Sequence, residues 1–360
     1  MPTHDDFAEL VVSTWSDQKV ADGRADFLQT HHALGCVSFG AARPASVIPA
    51  RQHVHAEPLH PPQDSSQEHW LVKAPAHELS GPGFSGRYND DLLFGVIDVP
   101  EPAEMLDGSP PLEQAARQAY TQLFEILDKV NFPYLWRSWN YMPAINQVTH
   151  GLERYRQFNA GRGQGFAKGA RVMTDKVPAA CALGVHSGPL SVAFLAGRTP
   201  TLAIENPRQT SAYHYPSQYG VQSPTFSRAS LVRLHDQELL FLSGTASIVG
   251  HQTLHTGDVR RQTIETLANI EAVVAQTNLL ARGARKFHLH DLQLRVYVRH
   301  AGDVDAIRNV LAAHLAPDQP VRFLRADICR SDLDVEIEGM AWRQATLLFT
   351  ERNGDAHDHQ

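Results

Sequence analysis

The 360-residue sequence contains no run of 18 or more apolar residues, so no membrane-spanning helix is expected. It has no run of Lys or Arg either, and with a net charge of -7 nucleic acid is not expected as a partner. The first ten residues carry Asp5, Asp6 and Glu9 but no basic region followed by an apolar stretch, so no secretory signal is expected. Cysteine is scarce. Cys36, Cys181 and Cys329 are odd in number and widely spaced, which reads as free thiols in a reducing cytoplasm. A phosphate-cradling loop is also missing: Gly161-Arg-Gly-Gln-Gly165 falls in a predicted helix and lacks a following Lys-Ser/Thr. The pairs His53/His55 and His288/His290 have i,i+2 spacing, yet no third ligand accompanies either pair, and His357 and His359 lie in a tail read as disordered. Neither a metal nor any other cofactor is expected.

What is present is an ordinary globular composition, 42% hydrophobic and 20% charged, and a length that favours two domains. Residues 41–90 are rich in Pro, His, Gln and Ser and read as mostly irregular, with short strands at best. Beyond them one pattern occurs twice. A strand at 92–99 leads to Ser109 as a candidate N-cap, with Pro110 at the first helical position. Leu112, Ala115, Ala116, Ala119, Leu123, Ile126, Leu127 and Val130 then trace one helical face. A strand at 134–142, a helix at about 151–166 and strands at 181–185 and 190–196 complete the first statement. The second runs strand 238–243, helix 259–278, strand 292–299, helix 304–314, and strands 321–328 and 334–342. Gln118, Leu123, Ile126 and Val130 recur as Gln262, Leu267, Ile270 and Val274. Arg137 and Trp139 recur as Arg295 and Tyr297, and Leu190-Ser-Val-Ala-Phe194 matches Leu333-Asp-Val-Glu-Ile337. Each half reads as two helices packed on one face of a mixed sheet, an α+β class. The domains are placed at 1–215, with an irregular N-terminal extension, and 216–360. The segment 206–224 at their junction is dense in Pro, Tyr, Gln and Ser, and its aromatic and Arg content suggests that it lines something.

The second half resembles the RidA/YjgF fold, through Phe241-Leu-Ser-Gly244, the helix with Gln262, Leu267, Asn269 and Ile270, the strand Leu294-Arg-Val-Tyr-Val298, and the last strand Asp334-Val-Glu-Ile-Glu338. A chain of two such halves is similar to the chorismatase family. The motifs carrying that resemblance are Arg137-Ser-Trp-Asn-Tyr-Met-Pro-Ala-Ile-Asn146, Glu153-Arg-Tyr-Arg-Gln-Phe-Asn-Ala-Gly-Arg162 and Glu205-Asn-Pro-Arg-Gln-Thr-Ser-Ala-Tyr-His-Tyr215. Gly244-Thr-Ala-Ser247 and the stretch Cys329 to Glu336 add to them, over roughly residues 90–350. The resemblance implies a small-molecule substrate, chorismate, cleaved to release pyruvate. A monomer and a small homo-oligomer both remain open.

Chorismate is a dianion, and the planar fork of arginine suits carboxylate. The candidate anchors are Arg137, Arg162, Arg208, Arg228 and Arg295, with Tyr155 and Tyr215 as hydroxyl donors. An arginine on a helix or strand is ordinarily a solvated or surface-paired charge. Arg295 departs from that expectation because it sits among Leu292, Leu294, Val296 and Val298, where an unpaired charge is costly. Arg162 reads equally as ligand or as structural charge, and Tyr155 as core or ligand on spacing; the family motif assigns Tyr155 to the site. Glu336 is the candidate catalytic acid. Of Glu336 and Glu338 one is expected to turn inward and the other outward, and a water-shielded carboxyl there can hold a proton near neutral pH. Its counterpart in the first half is Ala193, so one site per chain is expected, with the N-terminal half as a wall.

The resemblance also separates two outcomes after protonation of the enolpyruvyl methylene. A hydrolytic branch adds water and leaves a dihydroxylated diene. A 3-hydroxybenzoate branch uses the ring hydroxyl through an arene-oxide-like intermediate, and some of its members also make 4-hydroxybenzoate. The latter branch is implied by Gly244 and by Cys329, seven residues before Glu336, where the hydrolases have alanines. Cys329 is then a shaping or proton-handling residue; alone it would read as a small buried hydrophobe. A RidA-type binding protein and an imine deaminase are the alternatives from other classes.

Overall fold

The computed structural model describes residues 10–16, 31–41, 50–60, 66–281 and 285–344. The acidic N-terminus at 1–9 and the tail with His357 and His359 lie outside the described residues. The first half contains β1 (His77–Gly81), β2 (Phe84–Tyr88), β3 (Leu92–Val99), α1 (Pro111–Lys129), β4 (Tyr134–Pro143), α2 (Arg154–Lys168), β5 (Ala179–Val185) and β6 (Leu190–Gly197). The second half contains β7 (Leu202–Ile204), β8 (Ala229–Leu234), β9 (Gln237–Thr245), α3 (Val259–Leu280), β10 (Gln293–Val298), α4 (Val304–Ala312), β11 (Val321–Arg325) and β12 (Val335–Gln344).

The two sheets have the same topology. The first is ordered β5-β4-β6-β3-β2-β1 and the second β11-β10-β12-β9-β8-β7, with Pro58–His60 added beyond β11. In each, only the β4/β5 pair or its counterpart β10/β11 is parallel among the labelled strands. Register carries the repeat down to single residues. Ala193 lies opposite Trp139 in the first sheet, and Glu336 lies opposite Tyr297 in the second. Each half is thus a RidA/YjgF-like α+β unit, and the duplication read from the sequence is real.

Helix α1 begins one residue later than its predicted start. Pro110 is the N-cap, held extended at ψ 155° because a proline follows it. The apolar face of α1, from Leu112 to Leu127, packs on Leu93, Ile97, Leu190, Val192 and Phe194 of the sheet. Helix α2 lies close against α1, and its glycines account for the approach. A Cβ at Gly161 would stand 2.0 Å from the Glu113 carbonyl oxygen, and one at Gly165 would stand 2.5 Å from Tyr120 Cβ. These glycines serve helix packing.

The stretch read as mostly irregular is rich in strands. Arg51–Val54 and Ser66–Val72 join Leu10–Ser16 and His32–Phe39 in a separate four-stranded sheet. Polar residues such as Gln52, Gln67, Glu68 and His69 are buried in it, which hides an apolar strand signal. This sheet packs into one core with the inner faces of both halves, where Phe39 and Trp70 meet Trp139, Tyr141, Phe241 and Tyr297. The halves are also joined by bridges between Ala179 and Ser227 and between Gly184 and Asp327. Helices lie outside and sheets inside. No helix among the described residues is long and apolar enough to cross a membrane.

Candidate active site

The strand pair β9/β12 builds the floor of the site. Its register slips between Leu242 and Thr245, so Ser243 and Gly244 form a bulge beside the acidic positions of β12. Into the space above Gly244 points the Glu336 carboxyl: a Cβ on residue 244 would lie 2.0 Å from Glu336 Oε1. Glu336 is only 3% exposed, and among the described residues no side chain or backbone group hydrogen-bonds its carboxyl. Burial, and then the neighbouring Glu338 carboxylate, push its pKa up to about 8, against the opposing pull of Arg137 and Arg299. Glu336 therefore keeps a proton at neutral pH.

Glu338 also faces inward, which corrects the expectation that one of the two acids would face out. Side chains two apart on a strand share a face, so both carboxylates belong to the same interior. They differ in partners. Glu338 is ion-paired with Arg137 and with Arg295 (2.9 Å) and accepts the Tyr297 hydroxyl at 2.7 Å. Arg295 also donates through Nε to Glu68 at 2.9 Å, from the four-stranded sheet.

Over this floor lies a cavity of about 570 Å³ between the two halves. Glu336 and Gly244 face it, with Tyr155 of α2 and Cys329 beside them, and Tyr215 and Arg228 from the segment joining the halves. Arg228 Nη2 donates to the Tyr215 hydroxyl at 2.9 Å and to the Thr210 carbonyl at 2.7 Å, while its Nε is buried without a partner. Desolvation and the nearby Cys329 push the Tyr155 phenol well above its ordinary range, so it is a neutral donor. Burial and Glu336 push the Cys329 thiol up to about 12, so it stays protonated and is no thiolate nucleophile.

Six of the ten residues singled out from sequence thus meet at one cavity: Glu336, Cys329, Tyr155, Tyr215, Arg228 and Gly244. Arg162 is buried next to them, stacked on the rings of Tyr120 (5.1 Å) and Phe166 (5.6 Å), with Nε and Nη2 unpartnered. Neither it nor the other three line the cavity. Arg137 is held by Glu338 and the Leu242 carbonyl, Arg295 by Glu68 and Glu338, and Arg208 by Glu265 and Asn269. Burial alone marked Arg295 as paired, but its main partner lies 227 residues away in sequence.

The chain matches the sequence model of the family described as "Chorismatase FkbO/Hyg5-like, N-terminal" over residues 68–196. A protein of Streptomyces hygroscopicus named chorismatase is 38% identical over 277 residues, covering 76% of this chain and 78% of its own length. A crystal structure of a chorismatase superposes with a TM-score of 0.82 at 32% identity, covering 92% of this chain and 98% of the other. The chain is a member of the chorismatase family. A second Streptomyces hygroscopicus relative, named 3-hydroxybenzoate synthase, is 35% identical over 288 residues, covering 78% of this chain and 82% of its own.

Several cavity residues of this family member escaped the sequence reading. Arg330, Tyr219, Phe226 and the ion pair Glu153–Arg156 all line it. Arg330 directly follows Cys329, and Arg156 directly follows Tyr155, but neighbours on a loop or helix need not share a direction. Among the described residues no cluster of three or more His, Cys, Asp or Glu is placed to hold a metal ion. The rings of His53 and His55 meet edge-on, 4.6 Å apart.

Proposed function

We propose that this chain is a chorismatase that releases pyruvate from chorismate and converts the ring to 3-hydroxybenzoate. The observation that carries the reading is the buried carboxyl of Glu336, without a hydrogen-bond partner among the described residues and held neutral by its surroundings, at the floor of a cavity that Arg228 and Arg330 line without a side-chain ion pair. Glu336 gives its proton to the enolpyruvyl methylene, which becomes the methyl group of pyruvate. The ring's own hydroxyl oxygen then displaces the ether oxygen, and the hydroxyl proton returns to the Glu336 carboxylate. The arene-oxide-like product opens, losing a ring hydrogen as it gains a phenolic one. Atoms and protons balance with no water consumed, and the acid is restored for the next turnover.

Gly244 supports the aromatising branch on physical grounds. With alanine there, the Glu336 carboxyl could not keep its present position and would have to swing away from the bulge. Tyr155 with Arg162, and Tyr215 with Arg228, are proposed as carboxylate anchors. Arg137, Arg208 and Arg295, proposed as anchors on sequence alone, hold the scaffold instead. A hydrolytic outcome, in which water attacks, is the second reading.

The test is incubation of the purified protein with chorismate, following pyruvate and separating the ring products by chromatography. Pyruvate with 3-hydroxybenzoate is expected. Pyruvate with a non-aromatic diene would overturn the aromatising branch, and absence of pyruvate would overturn the chorismatase activity.

A further inference from the structure

Of the three arginines that line the cavity, Arg156 is engaged by Glu153, and the arginines beyond its wall are engaged as well, Arg299 by Asp327, and Arg137 and Arg295 by Glu338. Arg162, Arg228 and Arg330 form no side-chain ion pair within 4 Å among the described residues, although the buried Glu205 carboxyl lies near Arg228. Arg330 is tied on one side only. Its Nη1 donates to the His251 carbonyl at 2.9 Å and to Thr253 Oγ1 at 3.3 Å, whereas Nη2 is buried with no partner. The guanidinium lies over the Tyr219 ring, 4.1 Å from its centroid, and 5.2 Å from that of Tyr215. Arg228 stands 5.6 Å from the same Tyr215 ring. Two guanidinium groups, each with an unused buried donor, are therefore gathered around one tyrosine. A planar cation held flat on aromatic rings loses little further freedom when a carboxylate docks.

The unpaired cations fall into two groups. Arg162 neighbours Tyr155, whose surroundings also include Cys329 and Glu336. In chorismate the enolpyruvyl methylene and the enolpyruvyl carboxylate hang on the same carbon. A methylene within reach of Glu336 thus places that carboxylate in the Tyr155 and Arg162 group. The ring carboxylate, several bonds further on, needs an anchor of its own. Resting on the chorismate reading above, we infer that Arg330, together with Arg228 across the Tyr215 ring, binds the ring carboxylate of the substrate.

The two product halves separate the anchors, because 3-hydroxybenzoate carries the ring carboxylate and pyruvate the other. In Arg330→Gln, inhibition by 3-hydroxybenzoate should weaken by roughly 10-fold or more, the usual scale for a lost charge-assisted bond. KM for chorismate should rise in parallel, while inhibition by pyruvate stays unchanged. Arg330→Lys, which keeps the charge without the fork, should fall between, and it serves as the test should the glutamine variant not fold. Equal weakening toward both products would reduce Arg330 to a scaffold residue. Weakening toward pyruvate alone, or toward neither, would also overturn the inference. Calorimetric binding of 3-hydroxybenzoate needs no turnover and keeps the two conclusions apart. A wild-type protein that neither cleaves chorismate nor binds 3-hydroxybenzoate overturns both. One that does both, with Arg330→Gln binding equally well, overturns this inference alone.

Discussion

Glu336→Gln should abolish pyruvate release and at the same time stabilise the protein, by an amount that grows with pH. The folded carboxyl holds its proton up to about pH 8, whereas its ordinary value is 4.5. Between those values the folded chain binds a proton that the unfolded chain has released, so stability falls as pH rises through the interval. It is fully present below pH 4.5 and stops falling above pH 8. At about 1.36 kcal/mol per pH unit, the cost is roughly 1 kcal/mol at pH 5.5 and approaches roughly 5 kcal/mol at pH 8.5. These are upper values, since the carboxyl opens onto the cavity. Glutamine has nearly the same shape and no charge, so it escapes the cost. Urea unfolding of both proteins at pH 5.5 and 8.5 should show the variant's advantage widening by up to roughly 3 kcal/mol. A gap that stays constant with pH would refute the idea that Glu336 is held neutral by its surroundings. The same protonation predicts that wild-type kcat/KM falls as pH rises past about 8.

Other perturbations separate site from scaffold. Gly244→Ala combined with Cys329→Ala should shift the ring product from 3-hydroxybenzoate toward the diene while pyruvate release persists, read by chromatography; an unchanged product profile would remove the case for the aromatising branch. Arg295→Gln leaves Glu68 and Glu338 under-compensated in the core, so it should cost about 3–5 kcal/mol in urea unfolding. KM for chorismate measured on its folded fraction should change little; a large rise would return Arg295 to the substrate site.

The sequence by itself determined the α+β class, the duplication and the order of the helices and central strands in each half, but not the outer strands His77–Gly81, Phe84–Tyr88, Leu202–Ile204 and Ala229–Leu234 or the separate four-stranded sheet. Apolar spacing along α1 and α3 and the paired strands are local signals, and local signals survive without tertiary context. Motif resemblance carried the reading further, to Glu336, Cys329, Tyr155, Tyr215, Arg228 and Gly244, which converge on one cavity. Only the tertiary structure decided among the arginines. Arg137, Arg162, Arg228 and Arg295 are all buried, and what separates them is whether a carboxylate bonds the guanidinium directly. For Arg295 that carboxylate is Glu68, in a polar, proline-rich stretch where strand periodicity is weak and pairing comes from chain far away. The same holds for Arg330, whose guanidinium group meets that of Arg228 around Tyr215. Charge pairing is a property of distance in space. Sequence names the groups that must be paired once buried, and the packing of three sheets into one core chooses the partners and leaves a few cations free for a substrate.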